Sequence, residues 1–138
     1  MPERVARTST RAARTTVLAF DFGLKRIGVA VGEPQLRTAH PLPAIRRFEE
    51  IDGLAAQWQP ARFVVGLPTS VQGATHAMTR EAEKFARRLE KRYKLPVSRI
   101  DERYTSVEAE SRLRGLKNKA VDSVAAQLIL EQYFDEAA

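Results

Sequence analysis

No cysteine occurs in the 138 residues. Disulfides and thiolate metal sites are therefore excluded, and a reducing compartment is compatible with the chain. Histidine is scarce too: His40 and His76 show no metal-ligand spacing and read as loop residues. No apolar run approaches the roughly 20 residues of a membrane span, so no membrane association is expected. The single tryptophan, Trp58, falls at helical spacing with Phe48, Ile51 and Leu54. It reads as a core anchor rather than a platform for stacking bases. There is no G-x-x-x-x-G-K-[ST] phosphate loop. Ser70 has no G-x-S-x-G elbow and no evident relay, which removes serine-nucleophile chemistry.

What remains is an ordinary globular composition, 43% hydrophobic and 29% charged. The length suits one domain with a real core. Net charge is +6, and half of it comes from Arg4, Arg7, Arg11 and Arg14 set against Glu3 in residues 1–16. That stretch lacks an apolar signal region and reads as a basic, disordered, dispensable extension. Residues 17–138 read as the folded domain, only mildly basic, which permits a nucleic-acid partner without establishing one.

The central stretch runs from Val17 to Val31. Val17 to Phe22 reads as a buried strand that carries Asp21, and Ile27 to Val31 as its hairpin partner. Gly23, Lys25 and Arg26 fill the turn. A strand-borne acid beside an open turn and two cations suits a metal and a phosphate; a tight hairpin with a solvated Asp fits equally. Leu36 to His40 is a third strand, short and edge-like, stopped by Pro41 and Pro43. A helix over 47–58 follows, then a strand over 62–66. Met78, Ala82, Phe85, Ala86, Leu89 and Tyr93 form the inward stripe of a long helix with a solvated charged face. A strand over 96–100 runs into Asp101-Glu102-Arg103. Thr105 to Glu108 matches a capping box opening a short helix, Arg114 to Lys119 a basic loop, and 120–134 the last helix, with Asp122 in its first turn. The order predicts an α/β protein, a mixed five-stranded sheet of three antiparallel strands and then parallel ones, flanked by helices.

Asp21, Asp101, Glu102 and Asp122 then need one explanation. If the first, fourth and fifth strands lie side by side, the first and last end on one edge, and the last helix can bring Asp122 to it. Clustered carboxylates repel and call for protons or cations. Hard oxygen ligands with open positions suit Mg²⁺ or Mn²⁺, which can activate water against a phosphodiester. Lys25, Arg26, Arg103, Lys117 and Lys119 would hold flanking phosphates. Singly, each acid also has a structural reading, as a cap, a helix-dipole partner or half of an ion pair.

Ala19-Phe-Asp21-Phe-Gly23-Leu-Lys25-Arg26-Ile-Gly28, Val65-Gly66-Leu67-Pro68, Asp101-Glu102-Arg103 and Val121-Asp122-Ser123 together resemble the YqgF/RuvX family. The resemblance spans 17–134. It implies an RNase H-like fold, a cytoplasmic location and divalent-metal nuclease chemistry, with Asp21, Glu102 and Asp122 as the acidic site and Asp101 nearby. It implies structured nucleic acid as substrate: pre-16S rRNA at its 5′ end, with a Holliday junction as the alternative. Junction resolution would call for a homodimer, for which the sequence shows no clear face. Two departures stand out. Leu24 replaces a usual polar residue, and the stretch from Arg112 to Asn118 is short. Two rivals remain: a nucleotide-binding module resembling the phosphate loop of actin-like ATPases, for which the chain is too short, and a non-catalytic ribosome-assembly factor.

Overall fold

Strand periodicity decides which way Asp21 faces. In β1 (Val17–Asp21) successive side chains alternate between the two sheet faces. Phe20 and Phe22 both pack on Phe85, with ring centroids 5.5 and 5.0 Å away. Asp21, between them, is turned to the opposite face with Val17 and Ala19.

The computed structural model describes residues 14–70, 73–103, 111, 114 and 123–137. After β1 come β2 (Ile27–Glu33) and β3 (Thr38–Ile45), then a 3₁₀ turn (Phe48–Glu50) leading into α1 (Ile51–Trp58). β4 (Arg62–Leu67), α2 (His76–Tyr93), β5 (Val97–Asp101) and α3 (Val124–Ala137) follow. The sheet order is β3-β2-β1-β4-β5. β2 pairs antiparallel with β1 and β3; β4 pairs parallel with β1 and β5. This is the expected mixed sheet, with the first, fourth and fifth strands adjacent.

Two apolar layers hold it. On one face Leu18, Phe20, Val29, Phe63 and Val65 pack under Ile51 of α1 and Phe85 and Leu89 of α2. On the other, Val17, Ala19, Ala30, Val64 and Ile100 meet Ala126, Ile129, Leu130 and Phe134 of α3. The α3 side of the sheet is lined by small residues, which lets the helix lie close to it.

β3 departs from expectation. It does not stop at Pro41 but runs through both prolines to Ile45. An edge strand tolerates residues that lack an N–H. Its register also slips: Ile27 faces Ile45 while Val29 faces Leu42, so β3 carries one extra residue and bulges beside Pro43. Ser123, fully buried, repairs the ladder there. Its hydroxyl accepts from the Val29 N–H at 2.9 Å and donates to the Leu42 carbonyl at 2.5 Å. Ser123→Ala is expected to cost about 1–3 kcal/mol, because a buried N–H and C=O lose their partner. Urea unfolding would measure it.

In α2, Met78 is 52% exposed rather than inward, and Ala82 is the first buried residue. The first turn, capped by Thr75, projects past the packed layer. The charged face of α2 is more than solvated surface. Glu83 and Glu90 both grip Arg99 of β5, at 2.8 and 2.7 Å, tying helix to strand. Arg88 lies 3.9 Å above the Phe48 ring. His40 lies in β3 and His76 opens α2, so neither is a loop residue. Ser111 and Arg114 are helical, which differs from the loop expected at Arg114. The capping box at Thr105 to Glu108, most of the basic loop and most of the extension lie outside the described residues. Among the described residues no helix is long and apolar enough to cross a membrane.

Candidate active site

Asp21 ends β1 among glycines. Gly28 sits opposite it on β2, and Gly66 lies on β4 one residue beyond the Phe20–Val65 pair. A glycine on either side leaves the carboxylate without a flanking side chain. Gly23 follows two residues later, where a Cβ would come within 2.6 Å of the Arg26 carbonyl oxygen. The β1–β2 connection closes over that missing side chain.

Glu102 arrives from the other direction. β5 pairs with β4 as far as Leu67 and Asp101, and the Glu102 N–H then donates to the Leu67 carbonyl at 3.0 Å. This holds the chain beside β4 for one more residue and puts Glu102 on the α3 side, where it is 7% exposed. Its carboxylate occupies the space that Gly66 leaves. A Cβ on Gly66 would come within 2.9 Å of Glu102 Oε2 and 2.3 Å of Ile129 Cδ1.

The two carboxyl groups meet in a hydrogen bond. Burial pushes the Asp21 carboxyl up to about 7, and the charge of Glu102 and the hydrogen bond between them act in the same direction. The pair thus shares a proton near neutrality. A cation can take that proton's place, and the donor set, two hard oxygen ligands, fits Mg²⁺ or Mn²⁺ better than a soft metal. Among the described residues no third His, Cys, Asp or Glu completes a metal-binding group. Asp122, Lys117 and Lys119 lie outside the described residues. Asp122 immediately precedes Ser123, whose hydroxyl is anchored to β2 and β3.

The other expected site residues are placed as follows. Asp101 is exposed, and alternation along β5 turns it with Arg99 to the α2 side, away from Asp21. Lys25 and Arg26 are exposed in the β1–β2 connection. Arg103 is exposed just past Glu102, with Nη1 3.4 Å from Glu136. All three cations leave strand ends on the edge that carries Asp21 and Glu102.

A sequence profile described as "RuvX: Holliday junction resolvase" matches residues 15–136. The chain belongs to the RuvX family. A relative from Thiobacillus denitrificans, named "Putative pre-16S rRNA nuclease", is 56% identical over 132 residues, covering 87% of this chain and 91% of its own. One from Methylobacillus flagellatus with the same name is 50% identical and covers 100% of this chain and 99% of its own. Among solved structures, T. thermophilus RuvC in complex with a Holliday junction substrate superposes with a TM-score of 0.53 at 13% identity. It covers 90% of this chain and 96% of that one, and the shared fold is RNase H-like.

Two residues outside the acidic cluster, Gly66 and Gln132, also shape the site. Gly66 carries a legible signal, since a glycine inside a β-branched strand often marks a close approach. Gly66→Ala is expected to cost about 1–3 kcal/mol and to displace Glu102, because Ile129 and the carboxylate must both give way. Thermal unfolding and the cleavage rate would report the two effects. Gln132, on α3, holds the main chain around Glu102: its Nε2 donates to the Asp101 carbonyl at 2.6 Å and its Oε1 accepts from the Arg103 N–H at 3.1 Å. A helical glutamine beside Glu131 and Tyr133 gives no such hint in sequence.

Proposed function

We propose that this chain is a divalent-metal-dependent nuclease that trims the 5′ end of pre-16S rRNA during ribosome biogenesis. The observation that carries the reading is the contact between Asp21, half-buried at the end of β1, and Glu102, buried just past β5. Such a pair is unfavourable for a purely structural purpose. It is what a hard cation requires. Asp21, Glu102 and Asp122 would hold Mg²⁺ or Mn²⁺, which supplies an activated water and neutralises charge on the cleaved phosphate. Asp21 orients one ligand oxygen from a strand fixed by Phe20 and Phe22. Glu102 supplies another from the end of β5. Lys25, Arg26, Arg103, Lys117 and Lys119 would bind phosphates flanking the cut. No side chain of this set acts as a nucleophile. Residues 17–138 form the nuclease unit, the basic extension is dispensable, and the protein works in the cytoplasm.

The rRNA substrate follows the names of the relatives most similar in sequence. A second reading, resolution of Holliday junctions by a homodimer, is favoured by the description of the family profile. The deciding experiment offers the full chain labelled pre-16S leader RNA and four-way DNA junctions, each with Mg²⁺, Mn²⁺ or EDTA. Metal-dependent cleavage of the leader at a defined site, with junctions intact, is the expected result. Symmetric junction cleavage would favour the second reading. Binding without cleavage of either would favour a non-catalytic assembly factor.

A further inference from the structure

We propose that Gln132 is the positioning residue that fixes Glu102 for metal binding, a reading that rests on the proposed nuclease function. Glu102 lies one residue past the last paired residue of β5. Its own N–H is held by Leu67, but the peptide groups before and after it need other partners. One carboxamide provides both. It donates to the Asp101 carbonyl and accepts from the Arg103 N–H, so the main chain is pinned on each side of Glu102. Only one orientation of the amide satisfies both bonds; a flip would set donor against donor and acceptor against acceptor. Glu136, one turn on, accepts from the same Nε2 at 3.0 Å and lies 3.4 Å from Arg103 Nη1, which holds the amide in that orientation. Ile129, one turn earlier, fills the space above Gly66. Successive turns of α3 thus fix the Glu102 side chain and its main chain.

The clamp needs a donor and an acceptor on one planar group, so a shape-preserving change tests it. Gln132→Glu keeps volume and packing but sets a carboxylate oxygen against the Asp101 carbonyl. Gln132→Ala removes both bonds. Gln127, on the same helix, donates to the Ala39 carbonyl at 3.2 Å on the far edge strand and serves as the control. Outer partners of metal ligands typically contribute 10–100-fold to metal affinity. Calorimetric titration with Mn²⁺ should therefore show binding weakened about 10-fold or more in Gln132→Ala and Gln132→Glu, and unchanged in Gln127→Ala. Amide exchange at Arg103 should accelerate about 10-fold or more in Gln132→Ala, with β1 and β4 amides unaltered. Wild-type Mn²⁺ affinity in both Gln132 variants, or equal weakening in Gln127→Ala, would overturn the clamp alone. A wild type that binds no Mn²⁺ would overturn the nuclease reading and the clamp's role with it.

Discussion

Asp21→Asn is expected to abolish metal-dependent cleavage while leaving the metal-free protein at least as stable as the wild type. The activity loss follows from the removal of a charged ligand. Metal catalysis contributes several kcal/mol to transition-state stabilisation, and each 1.4 kcal/mol is tenfold in rate, so a fall of about 10³-fold or more is expected. The stability effect has the opposite sign. Asp21 is half-buried beside Glu102, and the charge of Glu102 opposes its ionisation. Asparagine keeps the shape and a hydrogen-bond donor toward Glu102 and removes the repulsion. Cleavage assays and urea unfolding at pH 8 in EDTA would measure the two effects together. Loss of activity through unfolding would lower stability; loss through the site would not.

The second large effect is the pH dependence of stability without metal. An acid whose folded-state pKa is raised binds its proton more tightly in the folded than in the unfolded chain. Its contribution is fully present below the unfolded value and is lost as pH rises through the folded one. For Asp21 that window runs from 3.8 to about 7. The loss across it is on the order of 4 kcal/mol, since each pK unit corresponds to about 1.4 kcal/mol. Glu50 and Glu90, held below the usual carboxylate range by main-chain N–H groups of Arg46 and Arg47 and by Arg99 respectively, titrate with the opposite slope. The Asp21 contribution is therefore the difference between wild type and Asp21→Asn across the same pH series. Saturating Mn²⁺ should recover stability at pH 8 in the wild type and not in the variant, because a ligand bound only to the folded state stabilises it by mass action. Parallel curves for wild type and variant would remove the carboxyl pair as the source.

Much of this site is legible in sequence because strand periodicity is a strong signal. The apolar run ending on Asp21, the glycine after it and the acids at the end of β5 identify a strand-end site. The alternating order of elements places those two strand ends on one edge. Long-range polar bonds are not legible. Nothing local in Pro41-Leu-Pro43 reveals that an edge strand continues through it, because the bulge is closed by Ser123 from 81 residues away. The exposure of Met78 depends on how far α2 overhangs the sheet, which its helical spacing does not encode. Asp101 and Glu102 are adjacent in sequence and chemically alike. They separate only when the strand pleat puts them on opposite faces, and Glu102 is the one that reaches Asp21.

A Mn²⁺ soak of crystals of the full chain, read by anomalous scattering, tests the metal centre most directly. A peak within ligand distance of both the Asp21 and Glu102 carboxylates is expected, and is expected to be absent in Asp21→Asn crystals. A soaked wild type with no peak there, or a peak that survives Asp21→Asn, would contradict the assignment of this carboxylate pair as the metal centre.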